Sequence, residues 1–365
     1  MKALVLRDVG KIKVENKDKP APGKGQALVK VGACGICGSD IPRAYKDGAH
    51  NMPLVIGHEF SGIVEACGAN VDNSWQGKRV GVFPLIPCMK CDCCLNRKYE
   101  MCSNYSYLGS RENGGFAEYV LVPEWNLIEL GDGVTMEQAA MLEPMAVAVH
   151  AIRQALRVRG YDIGRSNLNE ILDCNMVVMG LGTIGLLVTM FLKNMGFNNV
   201  YTIGNKAIQQ KMVKAIGIEA DKYCDISIWD EIDWIRGNTL SNGNMHGADF
   251  FFECVGQARS LEAGIYGAAP GGVVCTVGNP HNDMDLKRNV YWQILRKQLT
   301  LAGTWNSSFT HGLDDDWHYV LSRLQQGAVK PELLVSHRYD LDDILAGFEI
   351  MRDKKEEYVK VMMVI

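Results

Sequence analysis

"NMVVMGLGTIGLLVTMFLKNMG", residues 175–196, decides how this chain is organised. Its first part, "NMVVMG", is a short apolar run of the kind that forms a buried strand. "TIGLLVTMFLKNMG" follows with helical spacing. Between them Gly180, Gly182 and Gly185 stand as G-x-G-x-x-G. That motif is weak evidence alone and gains value from a strand before it and a helix after it. The first glycine suits a tight turn. The second lets a pyrophosphate approach the backbone, and the third lets helix and strand pack closely. The helix N-terminus then faces the phosphates. Thr183 and Ile184 lie in the same turn and join the candidate cofactor-binding set. The alternative reading is a Gly-rich turn in an α/β fold that binds no nucleotide.

The pattern continues downstream. "NVYTIG", "AIQQKMVKAIG", "ADFFFECVG", "ARSLEAGIYGAA", "GGVVCTVG" and "QLTLAGTW" alternate strand-like and helix-like runs. Such alternation argues for a parallel sheet covered by helices. "ECVG" and "TVG" end strands near the cofactor, which adds Val255 and Val277 to the set. Upstream, the first ~150 residues are short runs rich in Val, Ile and aromatics, broken by Gly, Pro and Asp, as in an antiparallel sheet or barrel. At 365 residues the chain exceeds what one core usually serves. The expected division is a β-rich domain over 1–150, a doubly wound parallel-sheet domain over 151–303, and a return to the first domain over 304–365. The stretch 160–175 reads as a loop or short-helix insertion.

Composition excludes several classes. Apolar residues make up 47% and charged residues 22%, with a formal net charge of −4. No basic field points to nucleic acid or to a membrane surface. The start of the chain lacks the apolar core of a signal peptide. Apolar runs such as "GLLVTMFL" (185–192) fall far short of the ~20 residues that span a bilayer. The expectation is a cytoplasmic protein whose twelve cysteines are mostly thiols or metal thiolates.

The end of the second parallel strand bears on cofactor choice. An acidic residue there would bond the adenosine ribose 2′-hydroxyl. This chain has Gly204, Asn205 and Lys206 instead. Glycine leaves room, asparagine donates hydrogen bonds and lysine adds positive charge, so NADP(H) is the preferred cofactor and NAD(H) remains possible.

Two groups of residues suggest metal. Cys88, Cys91, Cys94 and Cys102 in "CMKCDCCLNRKYEMC" follow C-x2-C-x2-C-x7-C. Four thiolates can close a tetrahedron around zinc and leave no open position, which makes such a site structural. Cys93 is wedged between two ligands and is left out. A cluster of free thiols and an iron–sulfur cluster are the other readings. The second group is dispersed: Cys37, Ser39 and Asp40 in "GICGSD", His58 and Glu59 in "GHEFSG", and Glu143 in "LEPMAVAVH". A thiolate, an imidazole and a carboxylate make a reasonable catalytic zinc set with one open position. Nothing in the sequence alone joins residues so far apart. Cys34 and Cys37 also form CxxC, but without the surroundings of a redox pair.

These pieces in this order resemble the zinc-dependent medium-chain alcohol/polyol dehydrogenases. The resemblance covers almost the whole chain and rests on "CGICGSD", "GHEFSGIVEACG", the four-cysteine lobe, "GGFAEYVLVP", "LEPMAVAVHA", "GLGTIGLL" and "FECVG". "SDIPRAYKDGAHNMPLVIGHEFSG" and "YSYLGSRENGGFAEY" are most similar to the galactitol-1-phosphate branch of polyol-phosphate dehydrogenases. The resemblance implies a GroES-like catalytic domain interrupted by a Rossmann domain, with the active site in the cleft between them. It implies two zinc ions per chain. Cys37, His58 and Glu143 become the catalytic ligands, and Glu59 a neighbour that can enter or leave the coordination sphere. Asp40 would orient the zinc-bound histidine, and Ser39 would relay the substrate proton. Pro42 stands where some relatives continue that relay through histidine.

The implied reaction is reversible hydride transfer between NAD(P) and a secondary hydroxyl of a sugar alcohol, foremost a polyol phosphate such as galactitol 1-phosphate. Arg43, Lys46 and Arg111 are candidates for the substrate phosphate, with His50 a further one. A non-phosphorylated polyol, a 2,3-diol or L-threonine is the alternative substrate. A non-catalytic zinc- or cofactor-binding protein is the alternative class. The family resemblance also implies a homodimer or homotetramer.

Overall fold

The computed structural model describes residues 1–239, 246–280 and 282–365. They form two compact units, Met1–Pro144 with Ser308–Ile365, and Met145–Ser307. The sequence reading set these divisions at 150/151 and 303/304. The first boundary follows Pro144, in the first turn of a continuous helix, Leu142–Arg157. At the second, the residues after strand Thr300–Gly303 stay with the unit they leave until Ser307.

In the Met145–Ser307 unit, the described strands form one parallel sheet. Its order is Tyr223–Asp225, Asn199–Gly204, Asn175–Met179, Ala248–Glu253, Ala268–Thr276, Thr300–Gly303. In chain order this is 3-2-1-4-5-6, the doubly wound arrangement that binds dinucleotides. Parallel strands covered on both faces read as unbroken apolar runs. Met176, Val177 and Val178, and Phe250, Phe251 and Phe252, are accordingly fully buried. Within 160–175 the chain forms a loop with a 3-10 turn at Leu168–Ile171. Asp162 ties it to the preceding helix by accepting from Arg153 at 3.0 Å and Arg157 at 3.1 Å.

The other unit is built around the long strand Gln26–Ile36. Glu59–Cys67 pairs with it on one side and Lys360–Val364 on the other, both antiparallel, while Tyr119–Pro123 pairs with its first half. Arg79–Val82 and Leu127–Glu129 extend the sheet at one end, and Val335–Tyr339 at the other. Val29, Phe60, Phe116, Val122, Phe348 and Met363 pack into one core. The chain thus enters this sheet before the parallel-sheet unit and completes it afterwards.

Candidate active site

Sheet register builds the dispersed group. Gly35 lies opposite Glu59, and Cys34 opposite Phe60. Cys37, just past one strand, and His58, just before the other, therefore emerge at the same end. Cys37, His58 and Glu59 each offer a ligand atom, and these atoms lie within 4.8 Å of one another. His58 and Glu59 are buried and Cys37 is half-buried.

Asp40 is fully buried behind them. Its Oδ2 accepts the backbone N–H of Cys37 at 3.0 Å, and its Oδ1 lies 3.5 Å from Nδ1 of His58. That nitrogen is buried and makes no hydrogen bond. Facing it with a carboxylate leaves Nε2 as the nitrogen for a metal, the arrangement in which an outer carboxylate orients a ligating histidine. Burial opposes charge on His58, yet Asp40 and Cys37 outweigh it and lift the imidazole well above its usual pKa. The surroundings are anionic and suit a cation. A soft thiolate, an imidazole and a carboxylate are a donor set that fits zinc.

Glu143 stands outside the close trio. Its Oε1 accepts the Tyr107 hydroxyl at 3.1 Å, and the Tyr107 ring lies edge-on to His58 with centroids 5.8 Å apart. Burial pushes the Glu143 carboxyl up to about 7. Glu59 has a different partner: Nζ of Lys360 forms an ion pair with its Oε2 and donates to the carbonyl of Ile36 at 3.1 Å.

Ser39 is half-buried beside Cys37, and its hydroxyl caps no backbone group of the short helix Asp40–Pro42. Arg43 turns its guanidinium to Asp40 in an ion pair. Arg111 stacks over the Tyr105 ring at 4.3 Å and donates to the Tyr105 carbonyl. Lys46 and His50 are exposed. The three cations named for phosphate are thus not one cluster of like function, since Arg43 is held by Asp40.

In the lobe, the sulfurs of Cys88, Cys91, Cys94 and Cys102 converge. Sγ separations are 3.5 Å for Cys91–Cys94, 3.8 Å for Cys91–Cys102 and 3.9 Å for Cys88–Cys94. A tetrahedron of ~2.3 Å zinc–sulfur bonds has edges of ~3.8 Å, so four thiolates here fit a zinc ion. Backbone N–H groups of Cys94 and Ser103 pull the Cys91 thiol down to about 5, as thiolate ligation needs. Cys93 is not in the group. Arg97 fastens the lobe by donating to the Thr310 carbonyl at 2.7 Å.

In the other unit the three glycines have three reasons. Gly180 has φ +93°, and a Cβ there would meet Val255 and Cys254. A Cβ on Gly185 would run into the Gly180 carbonyl. Around Gly182 there is open space, and the helix Thr183–Asn194 starts there without a side-chain cap. A helix N-terminus beside open space fits a pyrophosphate. Gly204 ends its strand, and Oε1 of Gln209 accepts the N–H groups of Asn205 and Lys206 at 3.0 and 3.2 Å. Buried Glu253 organises the neighbouring loops. Its carboxylate accepts from the N–H groups of Val255 and Gly256, both at 2.8 Å, and its carbonyl accepts from Val277 at 2.8 Å.

Residues 23–132 match the family profile "Alcohol dehydrogenase GroES-like domain", and residues 183–326 match "Zinc-binding dehydrogenase". Galactitol 1-phosphate 5-dehydrogenase of Escherichia coli (strain K12) is 30% identical over 346 residues, 93% of this chain and 92% of that protein. The chain belongs to the zinc-dependent medium-chain alcohol/polyol dehydrogenases. Sorbitol dehydrogenase of Halalkalibacterium halodurans is also 30% identical, over 370 residues, 100% of this chain and 99% of that one. A zinc-binding dehydrogenase from Sinorhizobium meliloti 1021, solved bound to NADP, superposes with a TM-score of 0.86 at 28% identity, covering 100% of this chain and 99% of that one. This dehydrogenase therefore carries the fold that the sequence implied, and it is a zinc-dependent alcohol/polyol oxidoreductase.

Sequence reasoning missed three residues of the dehydrogenase. Tyr107 was quoted within a family-like stretch but given no role. Glu253 is one acidic residue at a strand end. Lys360 had the clearest signal, a lone cation in the otherwise apolar strand "KVMMV". Among the described residues, no helix is long and apolar enough to cross a membrane.

Proposed function

We propose that this dehydrogenase transfers a hydride between NADP(H) and a secondary hydroxyl of a polyol phosphate such as galactitol 1-phosphate. The buried convergence of Cys37, His58 and Glu59, backed by Asp40, carries the reading. The family resemblance implied Cys37, His58 and Glu143 as the zinc ligands with Glu59 exchanging; the close trio favours Cys37, His58 and Glu59 as the ligands, with Glu143 the carboxylate that would exchange with Glu59. Cys88, Cys91, Cys94 and Cys102 would hold a structural zinc. When bound, the zinc acts as a Lewis acid on the substrate hydroxyl and the nicotinamide accepts or returns the hydride. Ser39 takes the substrate proton and passes it on. Asp40 fixes the imidazole of His58.

The cofactor reading rests on Gly204, Asn205 and Lys206, where no carboxylate repels a 2′-phosphate. Gly180, Gly182, Thr183, Ile184 and Gly185 would cradle the pyrophosphate, with Val255 and Val277 beside it. The substrate reading rests on the likeness to galactitol 1-phosphate 5-dehydrogenase, with Lys46 and Arg111 as the phosphate contacts. Tyr291, Trp292, Leu295, Leu301 and Trp305 are exposed on and after the helix Arg288–Lys297 and the edge strand Thr300–Gly303. An apolar surface beside a sheet edge supports a homodimer. None of the twelve cysteines is in a disulfide, which suits the cytoplasm.

The test is a kinetic screen of purified, zinc-analysed enzyme over hexitols, pentitols, their phosphates, 2,3-butanediol and L-threonine, with each cofactor. Highest kcat/KM for a polyol phosphate with NADP and two zinc ions per chain supports the reading. A free polyol preferred over its phosphate would move the substrate class, and a large advantage for NAD would overturn the cofactor reading.

A further inference from the structure

Lys360 is 1% exposed and its carboxylate partner, Glu59, is 2% exposed. The two belong to strands on opposite sides of Gln26–Ile36, yet they meet. Gly35 makes this possible. A Cβ at that position would strike Oε2 of Glu59 and lie 3.2 Å from both Cε and Nζ of Lys360. The ammonium also binds the carbonyl of Ile36, the residue before Cys37. One cation thus grips both strands that carry the trio. Around it stand the carboxylates of Glu59 and Glu143 and the thiol of Cys37.

We propose that Lys360 is a positioning residue that decides how Glu59 meets the metal. By holding Oε2 it leaves Glu59 one oxygen to offer, so that the carboxylate binds weakly enough to exchange and one side of the ion stays open for substrate. Without Lys360, Glu59 is an unpaired buried anion. The cation nearest to it is then the metal, and both of its oxygens turn there. The inference rests on the zinc reading above and adds to it a control on the coordination number.

The test compares Lys360→Met, Lys360→Arg, Glu59→Gln and the double variant K360M/E59Q with wild type. Metal content, zinc release to a chelator, the visible spectrum of the cobalt-substituted enzyme and steady-state kinetics are read for each. K360M is expected to release its catalytic zinc about tenfold more slowly, the reverse of the loss in affinity that removing an outer partner usually brings. Its cobalt absorption should weaken, as it does when cobalt gains a ligand, and kcat should fall. K360R should restore most of each property. In the double variant both buried charges are gone, so its release rate should equal that of E59Q, and this pair carries the test if K360M does not fold. Wild-type spectrum and release rate in K360M overturn the inference, as does a separate effect of K360M within the E59Q background. Wild-type enzyme that holds one metal per chain overturns the zinc reading itself, and the inference with it.

Discussion

The hydroxyl of Tyr107 donates to Oε1 of Glu143 at 3.1 Å while its ring packs edge-on to His58. Burial and the Glu143 charge hold the phenol well above its usual pKa, so it stays a donor. Tyr107→Phe removes a hydrogen bond to a charged group, worth ~1.5–3 kcal/mol. The rate of polyol oxidation should fall about 10- to 100-fold with zinc content unchanged. Steady-state kinetics with metal analysis checks this. Loss of zinc along with rate would place Tyr107 in metal binding instead.

Arg43 and the exposed Lys46 should separate in a substrate comparison. Arg43 pairs with Asp40, which in turn faces His58 and Cys37. Arg43→Ala should lower kcat for a polyol and its phosphate by the same factor, about tenfold for one charge-assisted bond. Lys46→Ala should raise KM for the phosphate alone. The reverse pattern would return Arg43 to the phosphate.

What the sequence shows and what it hides differ in range. The parallel-sheet unit is legible because its signals are local: buried strands such as "NMVVM" and "ADFFFE", and glycines each needed within one turn. The cysteine lobe is legible because its four sulfurs come from one stretch of fifteen residues. Cys37, His58, Glu59 and Lys360 are joined only by strand register, which depends on pairing between segments far apart in the chain. Motif resemblance supplied the first three. Lys360 signals itself only as a lone cation in an apolar strand, and its partner lies 301 residues away.

Gly35→Ala tests the space between Glu59 and Lys360. The added methyl must push against both side chains and against the strand they flank. Overpacking of this kind costs ~1–3 kcal/mol. Urea unfolding should show the loss, and zinc release should change with it. Wild-type stability would mean that the two charged groups move aside freely.

In the lobe, Cys88→Ser should reduce zinc from two ions to one per chain and lower the unfolding temperature. Residual activity of the folded fraction should persist, because four thiolates leave no position for substrate. Cys93→Ser should change neither value. Atomic absorption and calorimetry read both outcomes, and a zinc loss in the Cys93 variant would redraw the ligand set.

Lys297 gives a pH test away from any metal. Its ammonium donates to the carbonyls of Tyr266 at 2.7 Å, Ala268 at 2.8 Å and Ile265 at 3.2 Å, at the end of the helix Ala258–Gly267. Burial, aided by Arg236, pulls its pKa down to about 8. An unfolded lysine titrates near ~10.4, so between these values the unfolded state holds more protons and stability rises with pH. Relative to Lys297→Met, wild type should gain in unfolding temperature from pH 8 to 10. A flat difference would show that the three carbonyls keep the ammonium charged.

The strand Lys360–Val364 lies between Gln26–Ile36 and Val335–Tyr339 in the sheet that carries the trio. On the ribosome, that slot stays empty while the whole Met145–Ser307 unit is made. The nucleotide-binding unit can fold on a contiguous stretch during this time, whereas the sheet around Cys37 must wait with one edge unpaired. A divalent ion that arrives before Lys360–Val364 is made would meet Cys37 and His58 without Lys360, so the proposed metal site takes its final form only once that strand is in place.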